Sequence, residues 1–383
     1  MSALPLLSFD SIPAEVDAVV IGGGLAGGMA ALRLASAGFR TIVFDRTAHP
    51  REKVCGCCLA PAGIAVLSRC GLGGLLSDAS PLEEVLLEAE HGAAVVRRPG
   101  SVAIARGALD VRLLAAASAA GALLAWPVSA SVDGSGRVEL RHEGGVRHVR
   151  ARIVVAADGL HGSSLARRGD FAWKSSERSL IGVGAIAPAG AVRVAPGQVR
   201  MRVCREGYVG VVRLPDGRVD IAAAVRPAFL RAARGVAEPM RAMLGDAVTD
   251  ERAVMDAAWQ GTPTLTRSRS RLSAPGILVA GDAAGYAEPF TGEGMGWALG
   301  TGCAAGDHAV RVLSGAAVEG EWDPICRGIV RGARLRCLLT ARLLRSPLAV
   351  SAAVRLIQAL PGASARVARA FGAPSTVPIG ELR

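Results

Sequence analysis

A chain of 383 residues has room for two or three domains. At 51% hydrophobic and 20% charged residues it is too apolar for a disordered polymer. The net charge of +11 is carried almost wholly by arginine, because Lys53 and Lys174 are the only lysines. These arginines are spread along the chain and aromatics are few (4%), which argues against nucleic acid, whose binders gather basic runs among stacking aromatics. Most of the excess reads as surface charge, with a share left to attract anionic cofactors or lipid surfaces.

No secretory signal precedes the first strand, so the expectation is a cytoplasmic protein with reduced cysteines. Residues 16–21 (VDAVVI) form a short apolar run suited to a buried parallel strand. The turn Gly22-Gly23-Gly24-Leu25-Ala26-Gly27 follows at once, then a helical segment over 28–37 and a second apolar strand over 41–44 ending in Asp45. Strand, glycine turn, helix, strand and acid make the dinucleotide-binding unit. Gly22 permits the tight turn, and Gly24 lets backbone approach a pyrophosphate. Leu25 and Ala26 open the helix whose N–H groups face the phosphates, and Gly27 lets that helix sit close to its strand. Asp45, with Arg46 beside it, is placed to accept from ribose hydroxyls.

Further on, Cys55-Gly56-Cys57-Cys58 lacks a second ligand pair at metal spacing, so no metal is expected. Residues 113–132 carry no charge for twenty positions, but Gly121 and Pro127 interrupt them. A helix to Gly121 and a buried strand from Ala122 explain this stretch better than a membrane span. Period-two alternation marks 83–98 and 137–152, the latter with a Gly144-Gly145 hairpin turn. The strand over 153–157 ends in Asp158-Gly159. Residues 198–225 read as an antiparallel meander, and 277–280 as a buried strand ending in Gly281-Asp282. After Trp322 the chain turns helical and basic. Arg331, Arg334, Arg342 and Arg345 share a face, while Cys337, Leu339, Leu343 and Leu344 lie away from it, which predicts a helix packed on the body or, alternatively, peripheral membrane contact.

Three strand-end motifs stand in order: GGGLAGG with Asp45-Arg46; AADGLHGSSLARR with Asp158 and Gly159; and LVAGDAAGYAEPFTGEGMGWAL with Gly281, Asp282, Pro289, Gly292, Glu293, Gly294 and Met295. Together they resemble the FAD-dependent oxidoreductases of the aromatic hydroxylase and geranylgeranyl reductase superfamily. Arg51-Glu52-Lys53-Val54-Cys55-Gly56-Cys57-Cys58-Leu59-Ala60-Pro61 is similar to a segment of the geranylgeranyl reductase branch. The resemblance implies an α/β fold: a Rossmann-like FAD domain of the GR2 type, an inserted antiparallel β-sheet substrate domain and a helical C-terminal tail. Its FAD domain would comprise 14–80, 101–178 and 269–320, its substrate domain 81–100 and 179–268, and its tail 321–383. It also implies that Lys53, Cys55 and Gly56 lie by the flavin, that Arg106 meets a phosphate or the flavin edge, that Val128 touches adenine, and that Asp282 holds the ribityl chain.

The strand Tyr208-Val209-Gly210-Val211 departs from the pattern, lacking the tryptophans and proline of halogenases and prenyl reductases. The reaction implied is reduction of a hydrophobic substrate's carbon–carbon double bond by reduced flavin, with Cys55 or Tyr208 supplying the proton. A flavin-dependent monooxygenase is the alternative, and a flavin-binding sensor or structural protein the non-enzymatic one. With no second glycine fingerprint, electrons would come from transient NAD(P)H or a protein donor.

Overall fold

A computed structural model describes residues 4–133, 137–288, 290 and 292–359. Its helices are α1 (Leu25–Ser36), α2 (Pro61–Arg69), α3 (Arg106–Ala119), α4 (Pro227–Arg231), α5 (Ala237–Leu244), α6 (Glu251–Met255), α7 (Gly294–Leu313), α8 (Trp322–Leu344) and α9 (Pro347–Ala359). The first helix begins three residues earlier than its sequence pattern suggests, because Gly24 serves as N-cap and Gly27 lies inside the first turn.

The nucleotide sheet runs in the order 273–274, 277–279, 145–156, 15–21, 41–44 and 123–125. All neighbours but the first pair are parallel. Strands 41–44 and 277–279 are buried at every residue, as expected of parallel strands buried on both faces. The alternating stretch and the apolar run that come after Gly144 prove to be one strand, Gly145–Ala156. Its first half pairs antiparallel with Arg137–His142, and its second half lies between the strands at 15–21 and 277–279. Polar alternation gives way to continuous apolar sequence where the strand leaves the surface and enters the core.

The second sheet has the order 260–264, 181–187, 219–225, 207–213, 198–204, 80–89, 92–103 and 58–59. It is antiparallel except where Gln198–Cys204 runs parallel to Ser80–Ala89, which joins the early hairpin to the later meander. Met240, Met243 and Leu244 of α5 cover one face. On the other side, α9 packs over the early hairpin. Trp322, fully buried, starts α8 by donating its indole N–H to the Val279 carbonyl (2.9 Å).

Helix α8 packs on the body, but of the residues that periodicity placed away from the arginines only Cys337 and Leu344 face inward. Ala333, Cys337, Thr340, Ala341 and Leu344 are buried, whereas Leu335, Leu338, Leu339 and Leu343 are exposed. Small side chains allow close approach, so the buried stripe is not the most hydrophobic one. Among the described residues no single helix is long and apolar enough to cross a membrane.

Helices α1 and α7 touch through glycine. A Cβ on Gly302 would run into the Ala26 backbone, and one on Gly306 would lie 3.0 Å from the Ala30 carbonyl. Gly302→Ala should therefore destabilise the protein by about 1–3 kcal/mol. Gly328→Ala, at an exposed site of α8 with nothing within 4 Å, should stabilise it by about 0.5–1 kcal/mol. Urea unfolding of both variants checks the pair.

Candidate functional site

Between the two sheets lies a cavity of ≈ 620 Å³. It starts at the ends of the parallel strands, passes the cysteine segment and ends against α8 and α9. Gly22, Gly24, Asp45, Arg46, Lys53, Cys55, Gly56, Arg106, Val128, Asp158, Gly159, Tyr208, Asp282, Gly292, Gly294 and Met295 all line it. Leu25, Ala26, Gly27 and Gly281 stand just behind. Gly27 packs on the Gly22 carbonyl, and a Cβ on Gly281 would sit 2.6 Å from that of Ala26. Glu293 turns away to pair with Arg336 of α8 (3.1 Å), tying the third motif to the C-terminal region. Pro289 lies outside the described residues.

At the nucleotide end, α1 begins at Gly24 without a side-chain cap and without an acid in its first turn. Its first N–H groups are thus left for an anion. Gly22 has φ 107°, and a Cβ there would lie 2.4 Å from the Ala157 carbonyl. Only glycine fits this turn. Asp45 is buried and does more than face a ribose. Its Oδ2 accepts from the Gly23 amide (2.8 Å) and Arg51 (2.9 Å), and its Oδ1 from the Thr47 amide (2.9 Å). Burial pushes its carboxyl up, but His49, Arg51 and Thr47 together hold it below the usual value. Asp45 therefore locks the glycine turn in place and keeps Oδ1 as its less occupied oxygen. The Val128 N–H donates to the Asp45 carbonyl (2.7 Å), so only the carbonyl of Val128 remains to meet a base.

Deeper in, Arg106 is buried and held bidentately by Asp110 one turn along α3 (3.0 and 3.3 Å). Its Nη2 lies 3.8 Å from where a Gly24 Cβ would be, and its Nη1 lies 4.0 Å from Cys55 Sγ. Burial lowers the Lys53 ammonium, as does Arg106, while Asp282 raises it. Burial raises Asp282, which Lys53 and Arg106 oppose. A half-buried acid between two cations, open to the cavity, suits a polyol chain next to phosphates. Asp158 accepts from the Ser164 amide (2.8 Å) through one oxygen, while its buried Oδ1 has no partner. The uncapped helix, the four cations (Arg46, Arg51, Lys53 and Arg106) and these acids fit FAD.

The three neighbouring cysteines are not equivalent. A hydrogen bond from Cys57, aided by Arg106, brings the Cys55 thiol down to about 6 against the pull of burial. Cys57 is pushed up by its bond to Cys55 and by burial, and Cys58 is pushed up by burial. Tyr208 stacks edge-on with Phe290 (5.0 Å). Burial and Glu288 raise its hydroxyl, and it packs with Leu344 and Val350 at the far end of the pocket. Burial, Asp282 and Cys55 raise Tyr286 instead, so Tyr286 is the tyrosine nearer the cysteine segment.

Sequence reasoning assigned no role to Asp110, Arg51, Tyr286 or the α8–α9 wall. The first had a signal, since Arg106 and Asp110 stand four apart on one helix face. The wall had none, because Leu344, Val350, Ala353 and Ile357 reach the cavity only through the bend between two helices.

A family model described as an FAD binding domain matches residues 15–323. The chain belongs to this family. It is 28% identical over 374 residues to the menaquinone reductase of Mycobacterium tuberculosis, covering 86% of this chain and 85% of that one. It is 27% identical over 321 residues to digeranylgeranylglycerophospholipid reductase 1 of Methanopyrus kandleri, covering 78% and 81%. The fold matches a geranylgeranyl bacteriochlorophyll reductase-like protein from Thermoplasma acidophilum with a TM-score of 0.73 at 18% identity, covering 94% and 96%. A flavin-dependent brominase and the p-nitrophenol 4-monooxygenase of Pseudomonas putida share this fold too. The protein is thus an FAD-dependent oxidoreductase of the superfamily its motifs resemble.

Asp110→Ala removes the bidentate anchor of Arg106, a charged pair in which each hydrogen bond is worth about 1.5–3 kcal/mol. FAD affinity should fall tenfold or more by that measure, read by flavin fluorescence titration. Asp110→Asn, which keeps one acceptor, should lose less.

Proposed function

We propose that this oxidoreductase reduces a carbon–carbon double bond of a hydrophobic isoprenoid or polyketide-like compound. The observation that carries this reading is the continuity of the cavity. It runs without a break from Cys55 and Asp282 to a wall built of Val85, Leu87, Met201, Leu344, Val350 and Ile357. An extended apolar chain lying along that wall buries its length and brings one double bond to the cysteine segment. The likeness to reductases of menaquinone and of digeranylgeranyl lipids supports the same reading.

Bound and reduced, FAD supplies the hydride. The chain's own residues exclude water, align the substrate and bring a proton to the second carbon from the Cys55 sulfur. Electrons reach the protein from NAD(P)H bound in passing or from a protein donor. The test is anaerobic incubation of the reduced, FAD-loaded protein with menaquinone and, separately, with an unsaturated digeranylgeranyl lipid. A product with one carbon–carbon double bond of its isoprenoid chain saturated, still two hydrogens heavier once any quinol is reoxidised, is expected from one of them. A product that gains an oxygen atom once air is admitted would overturn the reading in favour of a monooxygenase.

A substrate of this kind resides in lipid, and the far end of the cavity has a fitting surface. Leu335, Leu339, Leu348 and Leu356 are 55–82% exposed on α8 and α9, with Arg331, Arg342 and Arg345 exposed around them. Leucines among arginines suit the surface of an anionic membrane, and Leu343 links that face to the cavity. Flotation with anionic vesicles at low salt should carry the protein along. Leu339→Asp combined with Leu348→Asp should cut that binding at least tenfold and leave FAD affinity unchanged.

A further inference from the structure

Cys55 abuts a buried acid set behind the cavity wall. Asp220, on strand Val219–Val225, is 3% exposed, and its Oδ2 has no hydrogen-bond partner. Its cross-strand neighbours are Val212 and Ile186. Both pack in the cluster that holds Cys57, Cys55 and Cys58. Cys57 is 1% exposed and has φ 47°, a left-handed conformation rare for a residue with a side chain. Its carbonyl accepts from the Ile104 amide (2.9 Å), which holds the turn closed. The turn thus directs Cys57 into the sheet, where its thiol lies between Cys55 and Asp220 and interacts with both.

This arrangement supplies what Cys55 lacks. With its thiol held near 6 by Cys57 and Arg106, Cys55 is a thiolate at neutral pH and has no proton to hand over. Burial keeps Asp220 protonated far above the usual carboxyl range, and Cys55 adds to that. Nearby charges leave this division in place. Arg106 faces Cys55 while paired with Asp110, Glu52 faces Asp220 while paired with Arg218 (3.0 Å), and Arg98 faces Cys58. Lys53 and Asp282 lie on the far side of Arg106.

We propose that Asp220 stores the proton of the reaction and passes it through Cys57 to Cys55. This rests on Cys55 being the final donor in the proposed double-bond reduction. The Cys57 proton moves to the Cys55 thiolate, and the Asp220 proton moves to the Cys57 sulfur. The Cys55 S–H bond so formed then breaks as a C–H bond forms on the substrate, which returns Cys55 to the thiolate. Asp220 is left as a carboxylate and recovers its proton from water when product leaves the cavity. Each turnover delivers one proton, and the three side chains return to their starting state. Asp220 touches neither substrate nor flavin, so it is a positioning and reloading residue.

The test uses the full FAD-loaded chain. Infrared spectra at neutral pH should show the carbonyl stretch of a protonated carboxyl group that disappears in Asp220→Asn. Alkylation of Cys55 by iodoacetamide, followed by peptide mass, should have its midpoint near pH 6 in the unaltered protein. Asp220→Asn, which still bonds to Cys57 but has no proton to give, should keep that midpoint and reduce the substrate found in the anaerobic assay about a hundredfold more slowly. Cys57→Ala, which takes the donor away from Cys55, should raise the midpoint by about one unit or more. Absence of the carboxyl band, or an unmoved midpoint in Cys57→Ala, overturns the relay. Full reduction by Cys55→Ala overturns the parent reading instead, while leaving the band of Asp220 in place.

Discussion

The site depends on how closely the backbone packs at one point. Strands 15–21, 145–156 and 277–279 end side by side, and α1 and α7 are pressed onto those ends. Gly22 meets the Ala157 carbonyl, Gly27 meets the Gly22 carbonyl, and Gly302 meets the Ala26 backbone. Any side chain at these positions would push the three motifs apart. Because none is present, the first N–H groups of α1, the Asp158 turn and the Asp282 turn face one cavity. Ligands bind at the carboxyl ends of such strands because there the turns are free to carry chemistry while the sheet stays rigid.

Charge then sorts the cavity lengthwise. Arg46, Arg51, Lys53 and Arg106 cluster at the nucleotide end, and acids fix three of them. Asp45 holds Arg51, Asp110 holds Arg106, and Asp282 stands by Lys53. Beyond Cys55 the wall becomes largely apolar. The +11 of the whole chain is therefore less informative than the placement of four of its cations.

The parts of the fold that were legible in the sequence are those whose causes are local. An apolar run, a glycine turn and a terminal acid are adjacent residues solving one geometric problem, so all three motifs could be read directly. Strand 145–156 misled because its character changes where its neighbours change, not where the strand ends. Helix α8 misled in part: Cys337 and Leu344 face inward as expected, but Ala333 and Ala341 join them while Leu339 and Leu343 are exposed. Glu293 looked like a cofactor residue from its motif, yet its partner Arg336 lies 43 positions away, and no local pattern announces that pair.

The cysteine segment shows the same limit at the level of chemistry. In sequence, Cys55, Cys57 and Cys58 are three equal thiols. In the fold, only Cys55 is reached by the Arg106 guanidinium, while Cys57 turns toward a buried acid and Cys58 lies in low dielectric. One proton-poor sulfur is thus set beside two that keep their protons. The difference comes from Arg106 on one side and Asp220 on the other, two residues 114 positions apart whose approach requires both sheets to be in place. Acidity here is a property of the assembled interface between the two sheets, and so is whatever proton transfer the site performs.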